Sequence, residues 1–151
     1  MFDQDVSQFR FFNRFYLAWI GILNKRFLHS RFSLPESRVL HCIYVKDGIN
    51  SSEITSALNM DKSYLSRILF SFEKKKLITR EVSAEDGRVF NLFLTKSGRK
   101  EFSALDRASD KQVQQLLSEL SEKERVTLIK SMNQIREILS RYTLPDTAAE
   151  D

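Results

Sequence analysis

The sequence predicts a mainly α protein with a small β-hairpin wing, a winged helix-turn-helix flanked by long terminal dimerisation helices. Three observations predict it. Two short helical segments meet at a three-residue break; the apolar period then switches from helical to alternating over residues 77–94; and helical spacing runs on for long stretches at both ends. At 151 residues the chain fits one domain or one compact subunit. Its 42% hydrophobic and 29% charged residues place it among globular chains, and four Gly with two Pro argue against a turn-rich β-sandwich.

The first helix is expected over residues 5–30. Phe9, Phe11, Phe12, Phe15, Tyr16, Leu17, Trp19, Ile20, Ile22, Leu23, Phe27 and Leu28 surround it instead of forming one stripe. A helix apolar on nearly every side must be covered on more than one, and in a small chain the second cover is another subunit. Ser33-Leu34-Pro35-Glu36 announces the second helix, with a capping box and a proline in the first turn, and Asp47-Gly48 ends it. Asn50 and Glu53 open the third helix at capping-box spacing, and Asn59-Met60-Asp61 breaks it from a fourth running from about Lys62 to Lys75.

Ile78, Arg80 and Val82 then share one strand face, and Phe90, Leu92 and Leu94 share another, around a turn-rich tip with Asp86-Gly87 at its centre. After Thr95, Phe102, Leu105, Val113, Leu116, Leu117 and Leu120 restore helical spacing. Ser121 and Glu124 cap a last helix with Leu128, Ile129, Met132, Ile135, Leu139 and Tyr142 on one side. Residues 1–32 and 101–151 are therefore expected to form a helical dimerisation region, and residues 33–100 the winged helix-turn-helix. Phe9, Phe12, Tyr16, Ile135, Leu139 and Tyr142 are the candidate interface residues.

The net charge of +4 is unevenly spread. Residues 62–100 hold ten Lys or Arg against four acids, whereas residues 101–151 hold seven against ten. A basic middle is the footprint of a polyanion-binding module, although charge alone fits a solvated surface equally well. The fourth helix sharpens the reading. At 100° per residue Leu65, Ile68, Leu69 and Phe72 fall on one side and Ser63, Ser66, Arg67 and Phe70 on the other, with Lys62 and Tyr64 on the flank. Short hydroxyl side chains let a helix backbone approach base edges in a major groove, where an arginine can chelate guanine. The candidate DNA-binding set is Ser51, Ser52, Lys62, Ser63, Tyr64, Ser66, Arg67, Lys74, Arg80 and Arg88, with Asp86 and Gly87 shaping the wing tip. Phe70 is odd on that face; it either touches a thymine methyl or tucks against the wing.

Residues 62–99, KSYLSRILFSFEKKKLITREVSAEDGRVFNLFLTKSGR, resemble the MarR family of bacterial winged-helix regulators. The resemblance rests on Ser66-Arg67, Phe72-Glu73, Leu77-Ile78, Asp86-Gly87-Arg88 and Leu94-Thr95-Lys96-Ser97-Gly98, all in order at family spacing, with the helix layout extending it over about residues 5–141. Lys76 stands where the family has Gly, and Phe70 where it has a polar residue. A finer likeness, on Phe9 to Tyr16, Asp61 to Leu69 and Phe72-Glu73, is to the regulator half of proteins that fuse this domain to an acetyltransferase. The resemblance implies a homodimer interlocked through its terminal helices, a pseudo-palindromic operator on double-stranded DNA, and a small aromatic or anionic effector bound between the helical region and the wing domain.

Other chemistries find little support. His29 and His41 lack a third ligand, so no metal is expected, and no cofactor or catalytic motif appears. Cys42, the one cysteine, lies on the second helix beside Leu40 and Ile43 and reads as core filler; a redox role would need an accessible, electropositive setting. No signal peptide or membrane span is expected, which fits a cytoplasmic protein. The expected function is a sequence-specific transcriptional repressor released by a ligand. The alternative is a winged-helix protein-interaction module that does not read DNA.

Overall fold

The computed structural model describes residues 1–26 and 30–142, with side chains for 1–19 and 30–142. Phe27, Leu28, His29 and the side chains of Ile20, Ile22 and Leu23 therefore lie outside the described residues. The described elements run α1 (Phe2–Arg26), α2 (Leu34–Val45), α3 (Ser51–Leu58), α4 (Lys62–Lys74), β1 (Ile78–Val82), β2 (Phe90–Leu94), α5 (Lys96–Ser118) and α6 (Glu122–Leu139). The chain divides into two compact units, residues 1–110 and 111–151.

All three expected capping boxes form. Ser33, Asn50 and Ser121 each accept a backbone N–H at the third helical position, from Glu36, Glu53 and Glu124, whose carboxylates return to the cap backbone. Helix α1 starts before the expected residue 5, and Asp3 and Asp5 in its first turn complement the positive end of the helix dipole. Helix α6 ends at Leu139, so Tyr142 lies beyond it and not on its face.

The core of the first unit is made where α2, α3, α4, the hairpin and the start of α5 converge. Val39, Leu40, Ile43, Ile54, Leu65, Leu69, Phe72, Leu77 and Leu92 are sealed from solvent, and Phe32 meets the Phe72 ring edge-on at 6.1 Å. The strands pair antiparallel with Ile78 opposite Leu94, Arg80 opposite Leu92 and Val82 opposite Phe90. That face is buried near the base, but Val82 and Phe90 are exposed because the ribbon runs out past the core. Gly48, at φ +78°, turns the chain after α2 so that Ile49 bridges Leu92, adding a short third partner to the sheet.

In the turn between α4 and β1 a lysine takes the backbone conformation that glycine favours. Lys76 takes a left-handed conformation at φ +56° although it is not glycine. Its N–H donates to the Glu73 carbonyl (2.8 Å), and the Leu77 N–H donates to the Phe72 carbonyl (2.9 Å). These two bonds make a Schellman cap, with the buried Leu77 and Phe72 supplying its apolar contact. The hairpin's far end locks the same turn. The Thr95 N–H donates to the Leu77 carbonyl (2.9 Å) and the Thr95 hydroxyl to the Lys76 carbonyl (2.8 Å), while Gly98 N–H donates to Thr95 Oγ1 (3.0 Å). A Cβ on Gly98 would stand 2.0 Å from the Leu77 carbonyl oxygen, so the Thr-x-x-Gly spacing is a packing requirement.

Two expectations follow. A left-handed non-glycine residue costs about 1–2 kcal/mol, of which glycine's added unfolded-state entropy returns about half. Lys76→Gly should therefore raise stability by about 0.5–1 kcal/mol, and Gly98→Ala should lower it by about 2–3 kcal/mol through overpacking, both read by denaturant unfolding. The second concerns acid. The Glu53 carboxyl is held below the ordinary carboxylate value by the Lys46 ammonium and then the Asn50 N–H, and Glu124 by the Ser121 hydroxyl and N–H. A depressed folded pKa gives stability that is full above the ordinary value of 4.5 and lost as pH falls through the folded one. Amide protection at Asn50 and Ser121 should therefore fall below pH about 4.5, and Glu53→Gln should remove that dependence at Asn50.

Candidate nucleic-acid interface

Helix α4 is set by its start. Asp61 takes an extended conformation and its Oδ1 accepts from the Tyr64 N–H (2.8 Å), so the first turn is capped without help from the exposed face. Leu65, Ile68, Leu69 and Phe72 anchor the helix in the core. Lys62, Ser63, Ser66, Arg67 and Phe70 are all exposed on its other side, and the Arg67 guanidinium lies over the Tyr64 ring at 5.6 Å from the centroid. The negative face of the ring attracts the cation there.

Beside this face is a groove of about 270 Å³ between α3, α4 and the base of the hairpin. It gathers Ser51, Ser52, Lys62, Ser66 and Arg80 of the expected set, together with Thr55. Sequence reasoning missed Thr55, although it lies four residues after Ser51 and three after Ser52, on one side of α3. It also missed a role for Glu73, whose Oε1 holds Arg80 Nε at 2.8 Å. Glu73 was legible as part of a motif, but the partner lies across the turn and no local spacing points to it. The groove offers hydroxyls, an ammonium, a guanidinium and the positive end of α3, which suits a phosphate.

The wing tip is made by Asp86. Its Oδ1 accepts from the Arg88 N–H (2.9 Å) and its carbonyl from the Val89 N–H (2.9 Å), while the Ser83 N–H donates to the Val89 carbonyl (2.8 Å). Asp86 thus shapes the backbone that carries Arg88. Gly87 takes no left-handed φ, and a Cβ there would meet nothing within 4 Å, so the turn places no steric demand for glycine. Arg88 is exposed at the tip and Lys74 at the end of α4, both outside the groove.

Elsewhere in the first unit, a cavity of about 440 Å³ is lined by Phe32, Ser37, Arg38, His41, Phe102 and Leu105 among others. Cys42 packs against the core nearby, and burial pushes its thiol up while Arg38 partly opposes the shift. Fewer thiolates at neutral pH is the opposite of what a sensing cysteine needs. The interface candidates are bare in the single chain. Phe9, Phe12 and Tyr16 are exposed on α1, with the last two rings stacked at 5.6 Å, and Ile135, Leu139 and Tyr142 are exposed in the second unit, whose helix α6 buries no residue.

The MarR family model matches residues 32–90. The uncharacterized HTH-type transcriptional regulator YdgJ of Bacillus subtilis (strain 168) is 27% identical over 105 residues, covering 68% of this chain and 64% of that protein. A putative transcriptional regulatory protein for the hcr operon of Thauera aromatica is 31% identical over 91 residues, covering 60% of this chain and 55% of its own. The chain thus spans less than two thirds of the length of these relatives. Among solved structures, a mutant of S. aureus MepR superposes with a TM-score of 0.73 at 27% identity, over 85% of this chain and 96% of that one. Another MepR mutant, bound to an oligodeoxyribonucleotide, gives a TM-score of 0.59 at 27% identity, over 85% and 95%. The MarR family model thus matches the segment from just before α2 to the first residue of β2, and the Thr-x-x-Gly junction follows directly after it.

Proposed function

We propose that the chain is a homodimeric, sequence-specific DNA-binding transcriptional regulator, acting as a repressor that a small ligand releases. The observation that carries the reading is the exposed face of α4, where Ser63, Ser66 and Arg67 stand free of the core beside a basic, hydroxyl-lined groove. Phosphate contacts position a protein on a duplex and base contacts specify the sequence. The groove, with Ser51, Ser52, Lys62 and Arg80, supplies the first. Arg67, with Ser63, Ser66 and Tyr64, supplies the second in the major groove. Arg88 reaches the minor groove from the wing tip, and Lys74 acts through phosphate. The similarity to regulators, and to a structure solved with an oligodeoxyribonucleotide, supports the same reading.

Dimerisation through residues 1–32 and 101–151 gives the exposed apolar side chains of α1 and α6 a cover. Obligate interfaces commonly bury more than about 2,000 Å² and resemble a core cut in half. The cavity near Arg38 suits the effector: Phe32 and Phe102 offer ring contacts, and Arg38 an anion partner. Such a ligand releases DNA only by binding the released conformation more tightly.

Sedimentation should find a dimer at micromolar concentration, and Leu139→Asp should cost assembly; a folded monomer there would contradict the proposal. Sites selected from random duplexes should form an imperfect inverted repeat with half-sites about 34 Å apart, one helical turn. A single asymmetric motif would contradict this docking. On such a site, Arg67→Ala should cost about 1–3 kcal/mol per lost base contact and relax preference at one position of each half-site. Arg88→Ala should instead weaken binding to most sequences and lower the salt slope by about one per wing. Binding isotherms across a salt series check both, and if neither variant changes affinity, the protein-interaction reading replaces this one.

A further inference from the structure

We propose that Phe70 is a specificity residue that reads a pyrimidine C5 methyl, normally that of thymine, in the major groove; this rests on the DNA-binding reading above. Phe70 is 67% exposed, whereas Phe72, two residues on and on the core side of the same helix, is fully buried. At 100° per residue Phe70 falls within about 20° of Ser63, seven positions earlier, and so shares the face of Ser63, Ser66 and Arg67. The wing does not cover it. Arg80, the long side chain at the wing base, is drawn to Glu73 (2.8 Å). A large apolar ring thus stands bare among short hydroxyls on the face that would meet base edges.

The major groove narrows what such a ring can meet. Base edges there present hydrogen-bond donors and acceptors and one apolar group, the C5 methyl of thymine. A phenyl ring can make no hydrogen bond with the former and loses water on meeting the latter. The helix rise of 1.5 Å per residue puts Phe70 about 4.5 Å beyond Arg67 along the axis. With base pairs about 3.4 Å apart, the methyl lies one or two pairs from the position that Arg67 reads. The core does not need the ring, so evolution of this position is free to follow the operator.

The test uses the whole chain and its selected duplex, remade with deoxyuridine for thymine one position at a time in one half-site. Deleting the methyl removes the burial of one carbon. Wild type should bind about fourfold more weakly at one position within two base pairs of the Arg67 position, with little change elsewhere. Phe70→Ala should melt as the wild type does and should bind the thymine and uracil duplexes equally. With the T·A pair at that position changed to C·G, restoring the methyl as 5-methylcytosine should strengthen binding by a similar factor in the wild type and not in Phe70→Ala, which separates the methyl from the rest of the thymine edge. A wild-type protein that binds its selected duplex but treats thymine and uracil alike at every position overturns the Phe70 assignment alone, as does methyl discrimination that survives in Phe70→Ala. A wild-type protein with no preference for any duplex overturns the DNA reading and this assignment with it.

Discussion

The backbone of Leu77 holds the first unit together. Its N–H closes the end of α4 on the Phe72 carbonyl, and its own carbonyl accepts from Thr95, at the far end of the hairpin, under a glycine that leaves no room for a side chain. One residue's backbone therefore fixes the exit of α4, the first residue of the wing and the entry to α5. The left-handed Lys76 that makes this possible is unfavourable by about 1–2 kcal/mol on its own. It persists because the turn satisfies the last carbonyls of α4 and buries Phe72 and Leu77 completely.

On the proposed function this junction matters because reading DNA would need two elements at a fixed relation. Helix α4 offers a polar face only because its other face is tied to the core at four positions, and the wing offers Arg88 only because its base is tied to the end of the same helix. A site built on rigid elements loses little conformational entropy on binding. The Glu73–Arg80 pair adds to this. It spans the junction at 2.8 Å, and each side chain is about one third exposed, so its direct effect on stability is small. Its consequence is positional: Arg80 is aimed beside Lys62 and Ser66 and away from the wing tip.

Much of this was legible because it is local. Ser33 with Glu36, Asn50 with Glu53 and Ser121 with Glu124 carry their helix starts in four residues, and the α4 face follows from the helical period alone. The rest depends on distant partners. Lysine at position 76 argues locally against a left-handed residue, and only the bonds to Phe72, Glu73 and Thr95 override that preference. Asp86-Gly87 looks like a glycine turn, yet the aspartate's side-chain and backbone acceptors do the turning. The groove needed α3 and the hairpin base to meet, so Thr55 was missed although it shares a side of α3 with Ser51 and Ser52. The dispersed apolar residues of α1 signalled a need for cover, and exposure in the single chain agrees with that need.

The most direct test of the central claim is an amide NMR titration of the whole chain with its selected duplex. Helix α4 and the wing should meet the duplex together, so the largest shifts should fall on residues 61–70, on Ser51 and Ser52, and on residues 86–89. The sealed core of α2 around Val39, Leu40 and Ile43 should change little. Shifts that spare α4 and the wing tip, or that gather on α1 and α6 alone, would contradict the account.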